Sequence, residues 1–282
     1  MSHLDTSATV ALALAEDLAG GGDITTAAVI DPARQGRAVL VGRQDLIVSG
    51  IAVAAEVFAQ IDDDLRFRPL ANDGDAVTAG TALAEVEGSL ASMLTAERCC
   101  VNFVQHMSGI ASLVRRYMDR LEGSGVRLVD TRKTRPGLRS LEKFAVRCGG
   151  AHNHRFGLAD GVMIKDNHIL AAGGITEAVG RALEGVHHLV KIQVEVESLA
   201  EANEAIDAGA RVLLLDNFDV DELQLVVAAL RGRPEPLTLE ASGGITLDTV
   251  AAVARSGVDV ISCGALIHQA QWVDIALDIV PA

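Results

Sequence analysis

Six short apolar runs in the second half of the chain each end on residues that can do chemistry. Asp130-Thr131-Arg132-Lys133 closes the run at 126–130, and Lys165-Asp166-Asn167-His168 follows the run at 161–164. Glu195 and Glu197 end the run at 190–196, and Asp216-Asn217 follows 211–215. Glu240, Ser242, Gly243 and Gly244 close 237–241, and Cys263-Gly264 follows 258–262. A single charged strand end is ordinarily a helix cap or half of an ion pair. Polar groups at six successive ends imply a shared site, because the strands of a parallel β/α barrel all point their C-terminal ends to one face, where such barrels carry their active sites.

The residue types say what that site would hold. Residues 127–165 contain nine Lys/Arg against three acids, with His152 and His154 added, in a chain whose net charge is −14. The overall charge excludes nucleic acid and an anionic membrane surface as main partners; a basic cluster inside an acidic protein fits a small anionic substrate. A solvated basic face is the competing reading. The lysine census weighs against it: the chain has four lysines and twenty arginines, and two of the lysines are Lys133 and Lys165. A compact ammonium is wanted there. Ser242-Gly243-Gly244 and Cys263-Gly264 each run from strand through glycine into a helix, where close backbone approach and free N–H groups suit a phosphate. Glu195 and Asp216 are hard oxygen donors for Mg2+ carrying a polyphosphate, or for a cation-like sugar transition state; pairing with Lys165 or Lys191 is the alternative. His152 and His154 lack a third metal ligand and read as hydrogen-bond partners of a carboxylate. His106, His187 and His188 read as ordinary helix or surface residues, and Asp62-Asp63-Asp64 as a solvated turn.

The elements that position these residues form strand-helix-strand units of 20–30 residues, which give parallel strands and right-handed crossovers. No GxGxxG follows the first strand, so a barrel is expected, and an incomplete one: six strands are clear, with a Gly/His-rich stretch at 148–157 beside them. The capping pairs Ser198/Glu201 and Asp219/Glu222 open two of the helices. Before the barrel, helices are expected at 8–18 and 50–60, short strands at 37–42 and 46–49, a hairpin at 65–87, and a long helix at 96–121 with apolar residues three or four apart. The segment DGDAVTAGTALAEVEG resembles a biotinyl or lipoyl carrier hairpin, but no lysine precedes Lys133, so a carrier function is excluded. The predicted division is an N-terminal α/β sandwich domain at 1–110 and an open, incomplete parallel β/α barrel at 111–282, with the last residues packing back on the N-terminal domain. No 18-residue apolar run is present, Met1 to Asp5 do not open a signal peptide, and four cysteines without a CxxC point to a reducing, cytoplasmic setting.

An ordered series of motifs then narrows the reading. Glu16-Asp17, Gly22-Asp23-Ile24-Thr25-Thr26, Glu97-Arg98, Asn102-Phe103 and Ser108-Gly109-Ile110 lead to DTRKTRPGLRSLEKFAV from Asp130. NHRFGLAD from Asn153, IKDNHI from Ile164, VEVESL from Val194, LLDN from Leu214, EASGGI from Glu240 and GALIH from Gly264 complete it. Over nearly the whole chain this series resembles the quinolinate phosphoribosyltransferase family, the carboxylating nicotinate-nucleotide pyrophosphorylases of NAD biosynthesis.

The resemblance implies transfer of phosphoribosyl from phosphoribosyl pyrophosphate to quinolinate, with loss of CO2. It implies that Arg98, Arg132, His154, Arg155 and Lys165 hold quinolinate, with Lys133 between the two substrates. Glu195 and Asp216 would serve the ribose and Mg2+, and Ser242, Gly243, Gly244, Cys263 and Gly264 the 5′-phosphate side. It also implies an open seven-stranded barrel and a two-fold homodimer in which each subunit lends Arg98 to the other's site. One departure is present: the family's usual Thr-His-Ser after the last barrel strand reads Ile267-His268-Gln269. The other readings are a phosphoribosyltransferase with a different acceptor and, in another class, a Schiff-base aldolase using Lys165.

Overall fold

The computed structural model describes residues 6–280, so the reading of Met1 to Asp5 lies outside the described residues. Along the chain, α1 (Ser7–Leu18) and α2 (Ile24–Val29) precede β1 (Gln35–Gly42), β2 (Leu46–Ile47) and α3 (Ile51–Ile61). Next come β3 (Arg66–Pro69), β4 (Ala76–Val77), β5 (Ala82–Ser89) and the long α4 (Leu90–Arg120). The barrel series follows as β6 (Arg127–Val129), α5 (Arg139–Cys148), β7 (Val162–Ile164), α6 (Asp166–Ala172), α7 (Ile175–Gly185) and β8 (Ile192–Val196). It continues through α8 (Leu199–Asp207), β9 (Val212–Asp216), α9 (Val220–Arg231), β10 (Thr238–Ser242), α10 (Val250–Ala254), β11 (Val260–Ser262), α11 (Ala265–His268) and β12 (Ile275–Val280).

Two compact units result, and the chain passes between them more than once. One comprises the residues through Arg115, Thr134–Gly150 and those from Leu266 onward; the other comprises Arg116–Lys133 and Ala151–Ala265. The division drawn at residue 110 falls inside α4, which continues unbroken to Arg120.

In the first unit an antiparallel sheet runs β12-β1-β5-β3. β1 buries every second residue near its end, Ala38, Leu40 and Gly42, as a half-covered strand must. The 65–87 segment is more than one hairpin. β3 pairs with β5, while β4 pairs with β2. The reason is Asp73, whose Oδ1 accepts the N–H groups of Gly50 at 2.7 Å and Ile51 at 3.1 Å, so the turn is spent on capping α3. α4 starts earlier than its sequence pattern suggested, because Leu90 and Met93 are buried in phase with the later apolar positions. Gly109 in α4 lets the returning chain lie close: a Cβ there would strike the backbone of Gln271. Gln105 Nε2 donates to the carbonyl of Ile275 at 2.8 Å, and β12 then pairs with β1 from Arg37↔Val280 to Gly42↔Ile275. Glu142, fully buried on α5, accepts from His106 Nε2 at 3.0 Å and from Arg135 at its backbone N (2.9 Å) and guanidinium (2.8 Å). Burial alone would raise its pKa; these bonds outweigh it and hold the carboxyl below its ordinary value.

The second unit is a parallel sheet ordered β6-β11-β10-β9-β8-β7. A seventh member joins at the other side of β6. Val129 and His152 form a parallel bridge, with His152 N donating to Leu128 O at 2.9 Å and Asp130 N to His152 O at 3.2 Å. The last strand of this sheet in chain order thus pairs with the first, and the ladder runs from His152 to β7 as an open barrel. The Gly/His-rich stretch forms only a one-residue bridge, which is why it lacked a strand's apolar run. Ser198 Oγ accepts from Glu201 N at 3.2 Å and Asp219 Oδ1 from Glu222 N at 2.8 Å, opening α8 and α9. Glu201 reaches back to the N–H of Glu197 at 2.8 Å, one residue before the cap itself. Among the described residues, no helix is long and apolar enough to cross a membrane.

Candidate active site

Parallel register stacks the inward side chains of the barrel in levels. Glu195, Leu214 and Glu240 are paired neighbours at one level, and Asp216 and Ser242 at the next. Above them opens a cavity of about 350 Å³. Arg132, Lys133, His154, Arg155 and Lys165 line it together with Glu195, Asp216 and Ser242, so most of the residues singled out from the sequence meet in one place. Thr131, Met163, Leu214, Glu240 and Ser262 complete the lining. The strand ends do converge.

The charges sort into two groups. Arg155 has its pKa lowered, by burial first and then by the like charge of Arg132. Two like guanidinium charges, Arg155 half-buried and Arg132 exposed, are relieved by an anion. In the second group Lys165 forms an ion pair with Glu195. Asp216 has a raised pKa, through burial and the nearby Glu195 carboxylate, with Lys165 and Lys133 acting in the opposite direction. Lys191 takes no part: it lines a separate cavity with Gly209, Arg211 and Pro236.

The supporting hydrogen bonds are dense. Asp130, fully buried, accepts from His154 N at 2.9 Å and from Asn153 Nδ2 at 2.6 Å. Arg155 N donates to His154 Nδ1 at 2.7 Å, and its guanidinium to Gly161 O at 3.0 Å. Asp160 Oδ2 accepts the N–H groups of Phe156 (2.7 Å) and Gly157 (2.9 Å) and shapes the loop.

The remaining sequence-derived residues lie elsewhere. Gly243 and Gly244 line a neighbouring cavity of about 340 Å³ with Asn217, Asp219 and Thr249, sharing Ser242 with the first. Cys263 is buried, its thiol donating to Ile245 O at 3.4 Å, and neither it nor Gly264 lines either cavity. The expectation that each glycine leads directly into a helix holds for Gly264 alone. After Gly244 a Thr246–Thr249 turn, with Thr246 N donating to Thr249 Oγ1 at 2.9 Å, delays α10 to Val250. Ile267 is buried and Gln269 exposed. Arg98 stands exposed on α4 in the first unit. Glu240, read from the sequence as a polar strand end but given no role, lines the cavity; Gln193, which bonds it, was missed, and the available signal was a polar residue on the inward alternation of an apolar strand.

Of the two glycines after β10, one is sterically required. Gly243 has φ +89°, and a Cβ there would collide with the Asn217 side chain. Asn217, itself left-handed at φ 59°, donates from Nδ2 to Asp216 Oδ2 at 2.6 Å. Gly244, at φ +61°, has open space around it. Gly243→Ala is therefore expected to cost about 1–3 kcal/mol of stability through backbone strain and to lower activity by displacing Asn217. Gly244→Ala should bring strain alone. Denaturant melts and kinetics of the two variants separate the effects; equal activity in both would remove the steric argument.

The comparisons with known proteins agree over both units. Residues 23–108 match the family model for the quinolinate phosphoribosyl transferase N-terminal domain, and residues 110–278 that for its C-terminal domain. The chain is 42% identical over 267 residues to a probable nicotinate-nucleotide pyrophosphorylase (carboxylating) of Synechocystis, covering 95% of this chain and 90% of the relative. It is 38% identical over 273 residues to the Mycobacterium leprae nicotinate-nucleotide pyrophosphorylase (carboxylating), covering 96% of each. The solved structure of the Francisella tularensis nicotinate-nucleotide pyrophosphorylase superposes with a TM-score of 0.91 at 38% identity, over 98% of this chain and 96% of that one.

Proposed function

Because the chain belongs to the quinolinate phosphoribosyltransferase family, we propose that it transfers phosphoribosyl from phosphoribosyl pyrophosphate to quinolinate in NAD biosynthesis. The pyridine nitrogen attacks the anomeric carbon as pyrophosphate leaves. The bond from C2 to its carboxylate then breaks, CO2 departs, and C2 takes a proton, giving nicotinate mononucleotide. The observation that carries this reading is a single cavity joining Arg132, Lys133, Arg155 and Lys165 to Glu195 and Asp216. A dicarboxylate and a polyphosphate account for the cations; a sugar centre that gains positive charge accounts for the carboxylates. Arg132 and Arg155 meet the acceptor's carboxylates, Lys165 joins them, and Lys133 stands between the substrates. Ser242, Gly243 and Gly244 take the 5′-phosphate side. An aldolase role for Lys165 is disfavoured, because its ion pair with Glu195 uses the ammonium whereas a Schiff base needs the free amine.

Glu195 and Asp216 fit Mg2+ in one sense only. Two carboxylates suit an ion that takes its other ligands from water and substrate phosphates, not a protein cage. Among the described residues the one group of three clustered metal-binding side chains is the Asp62-Asp63-Asp64 turn, away from these ligands in the sequence. When bound, Mg2+ neutralises charge on the leaving pyrophosphate. Incubation with quinolinate, phosphoribosyl pyrophosphate and Mg2+ should give nicotinate mononucleotide and CO2 in equal amounts; no nucleotide with an otherwise folded protein would overturn the proposal. Four free cysteines, three of them buried, accord with work in the cytoplasm.

The site is shared between two subunits of a homodimer, each lending Arg98 to its partner. The support is that Arg98 is exposed and absent from the lining of its own cavity, together with the family likeness. Arg98→Ala and Lys165→Ala homodimers should each be nearly inactive, whereas subunit exchange should restore up to one intact site per heterodimer. Verified heterodimers without recovered activity would place Arg98 outside any shared site.

A further inference from the structure

Arg155 carries its charge on a long stem, and an anion gains most from such a group when the stem is fixed before the ligand arrives. Three contacts fix it. Its N–H donates to His154 Nδ1 at 2.7 Å. The peptide that follows is held by Asp160, whose Oδ2 accepts Phe156 N at 2.7 Å. At the tip, Nη1 donates to Gly161 O at 3.0 Å and Nη2 to Met163 Sδ at 3.5 Å, which leaves the other guanidinium N–H groups for an anion.

The Gly161 carbonyl is within reach for a reason of topology. β7 ends the ladder of the open barrel, and Val162 N donates toward β8, to Lys191 O at 3.2 Å. Across a trans peptide the carbonyl points away from the N–H. Gly161 O therefore faces the unpaired edge of β7, and Arg155 meets it there. Phe156 to Asp160 separate the arginine from that carbonyl. Phe156 and Leu158 are 44% and 72% exposed, so this loop gains little from burying its apolar side chains. Asp160 closes it by taking the N–H groups of Phe156 and, at 2.9 Å, Gly157 on one oxygen. The same residue thus ties the peptide after Arg155 to the residue before Gly161.

We propose that Asp160 is a positioning residue for the acceptor: by closing this loop it holds the Arg155 guanidinium at the angle that meets a pyridine carboxylate. The inference rests on the quinolinate reading, and it assigns the effect to the two hydrogen bonds and not to the charge. Asp160→Ala removes both bonds. Asp160→Asn can keep them, because a single amide oxygen can accept both N–H groups as Oδ2 does.

The experiment measures quinolinate and phosphoribosyl pyrophosphate binding by calorimetry on the full chain. Rotation of the Arg155 guanidinium is read without ligand by ¹⁵N NMR, its signals being those that Arg155→Ala lacks. Asp160→Ala should weaken quinolinate about tenfold and leave phosphoribosyl pyrophosphate within about twofold. It should also average the Nη1 and Nη2 signals that the wild type keeps distinct. Asp160→Asn should stay within about threefold of wild type and keep the signals distinct. In an Arg155→Ala background the further cost of Asp160→Ala should fall below about twofold, because a residue that acts through Arg155 has nothing left to act on. Should Asp160→Ala not fold, Asp160→Glu, which keeps the charge but sets the carboxylate one carbon further out, is read in its place. Unchanged quinolinate binding in the alanine variant, equal loss of both ligands, an asparagine variant as weak as alanine, or an undiminished cost in the Arg155→Ala background would each overturn the proposal. A wild type that binds no quinolinate, with an Arg155 signal that still depends on Asp160, would overturn the acceptor reading and leave the positioning of Arg155 standing.

Discussion

Replacing Lys165 with alanine is expected to lower kcat/KM for quinolinate by about 10²- to 10⁴-fold. The variant loses its ion pair with Glu195 and, on the proposed reading, the ammonium's contact with the acceptor. Each charge-assisted contact is worth roughly 1.5–3 kcal/mol, and about 1.4 kcal/mol is tenfold. A second effect has the same sign. Lys165 is one of the charges that lower the Asp216 pKa against the influence of burial and Glu195. Without it the two carboxylates face each other with less compensation, and Asp216 is pushed further up and toward protonation. Lys165→Arg should recover little, because a planar fork cannot replace a compact ammonium in a cavity of about 350 Å³ walled by Glu195 and Met163. Steady-state kinetics of both variants check this. An alanine variant within fivefold of wild type would remove Lys165 from the chemistry.

Asp216→Asn should act on turnover: kcat down by about 10²–10³, the size seen when a preorganised electrostatic group is removed, with quinolinate affinity nearly unchanged. The substitution is isosteric and touches Asn217, whose Nδ2 donates to Asp216 Oδ2 at 2.6 Å; the new amide can turn its oxygen toward that donor, so the backbone has no need to move. A loss confined to kcat therefore reports charge at the sugar and pyrophosphate end. Loss of quinolinate binding with normal kcat would instead assign Asp216 to the acceptor.

What could be read from the residues, and what could not, follows from the range of the forces involved. The alternation of strand and helix, the caps of α8 and α9, and the polar group at every barrel strand end are local, set by hydrophobic period, turn residues and the direction in which a parallel strand must point. From these the sequence alone determined the open barrel and which end holds Arg132, Lys133, Lys165, Glu195 and Asp216. Ordered motifs across the whole chain determined the family. Tertiary structure decided the rest. That His152 is the seventh strand rests on two backbone hydrogen bonds to β6, which no residue pattern announces. Whether the turn at Asp73 closes a hairpin or caps α3 depends on which distant N–H groups reach it. That Thr134–Gly150 belongs to the first unit depends on Glu142 finding His106 from α4, and that Gln193 supports Glu240 depends on two strands that only the barrel brings together. Sequence spacing specifies the direction of a side chain along its own element; its partner across elements is chosen by packing, where a buried polar group must find whatever donor the fold places within about 3 Å.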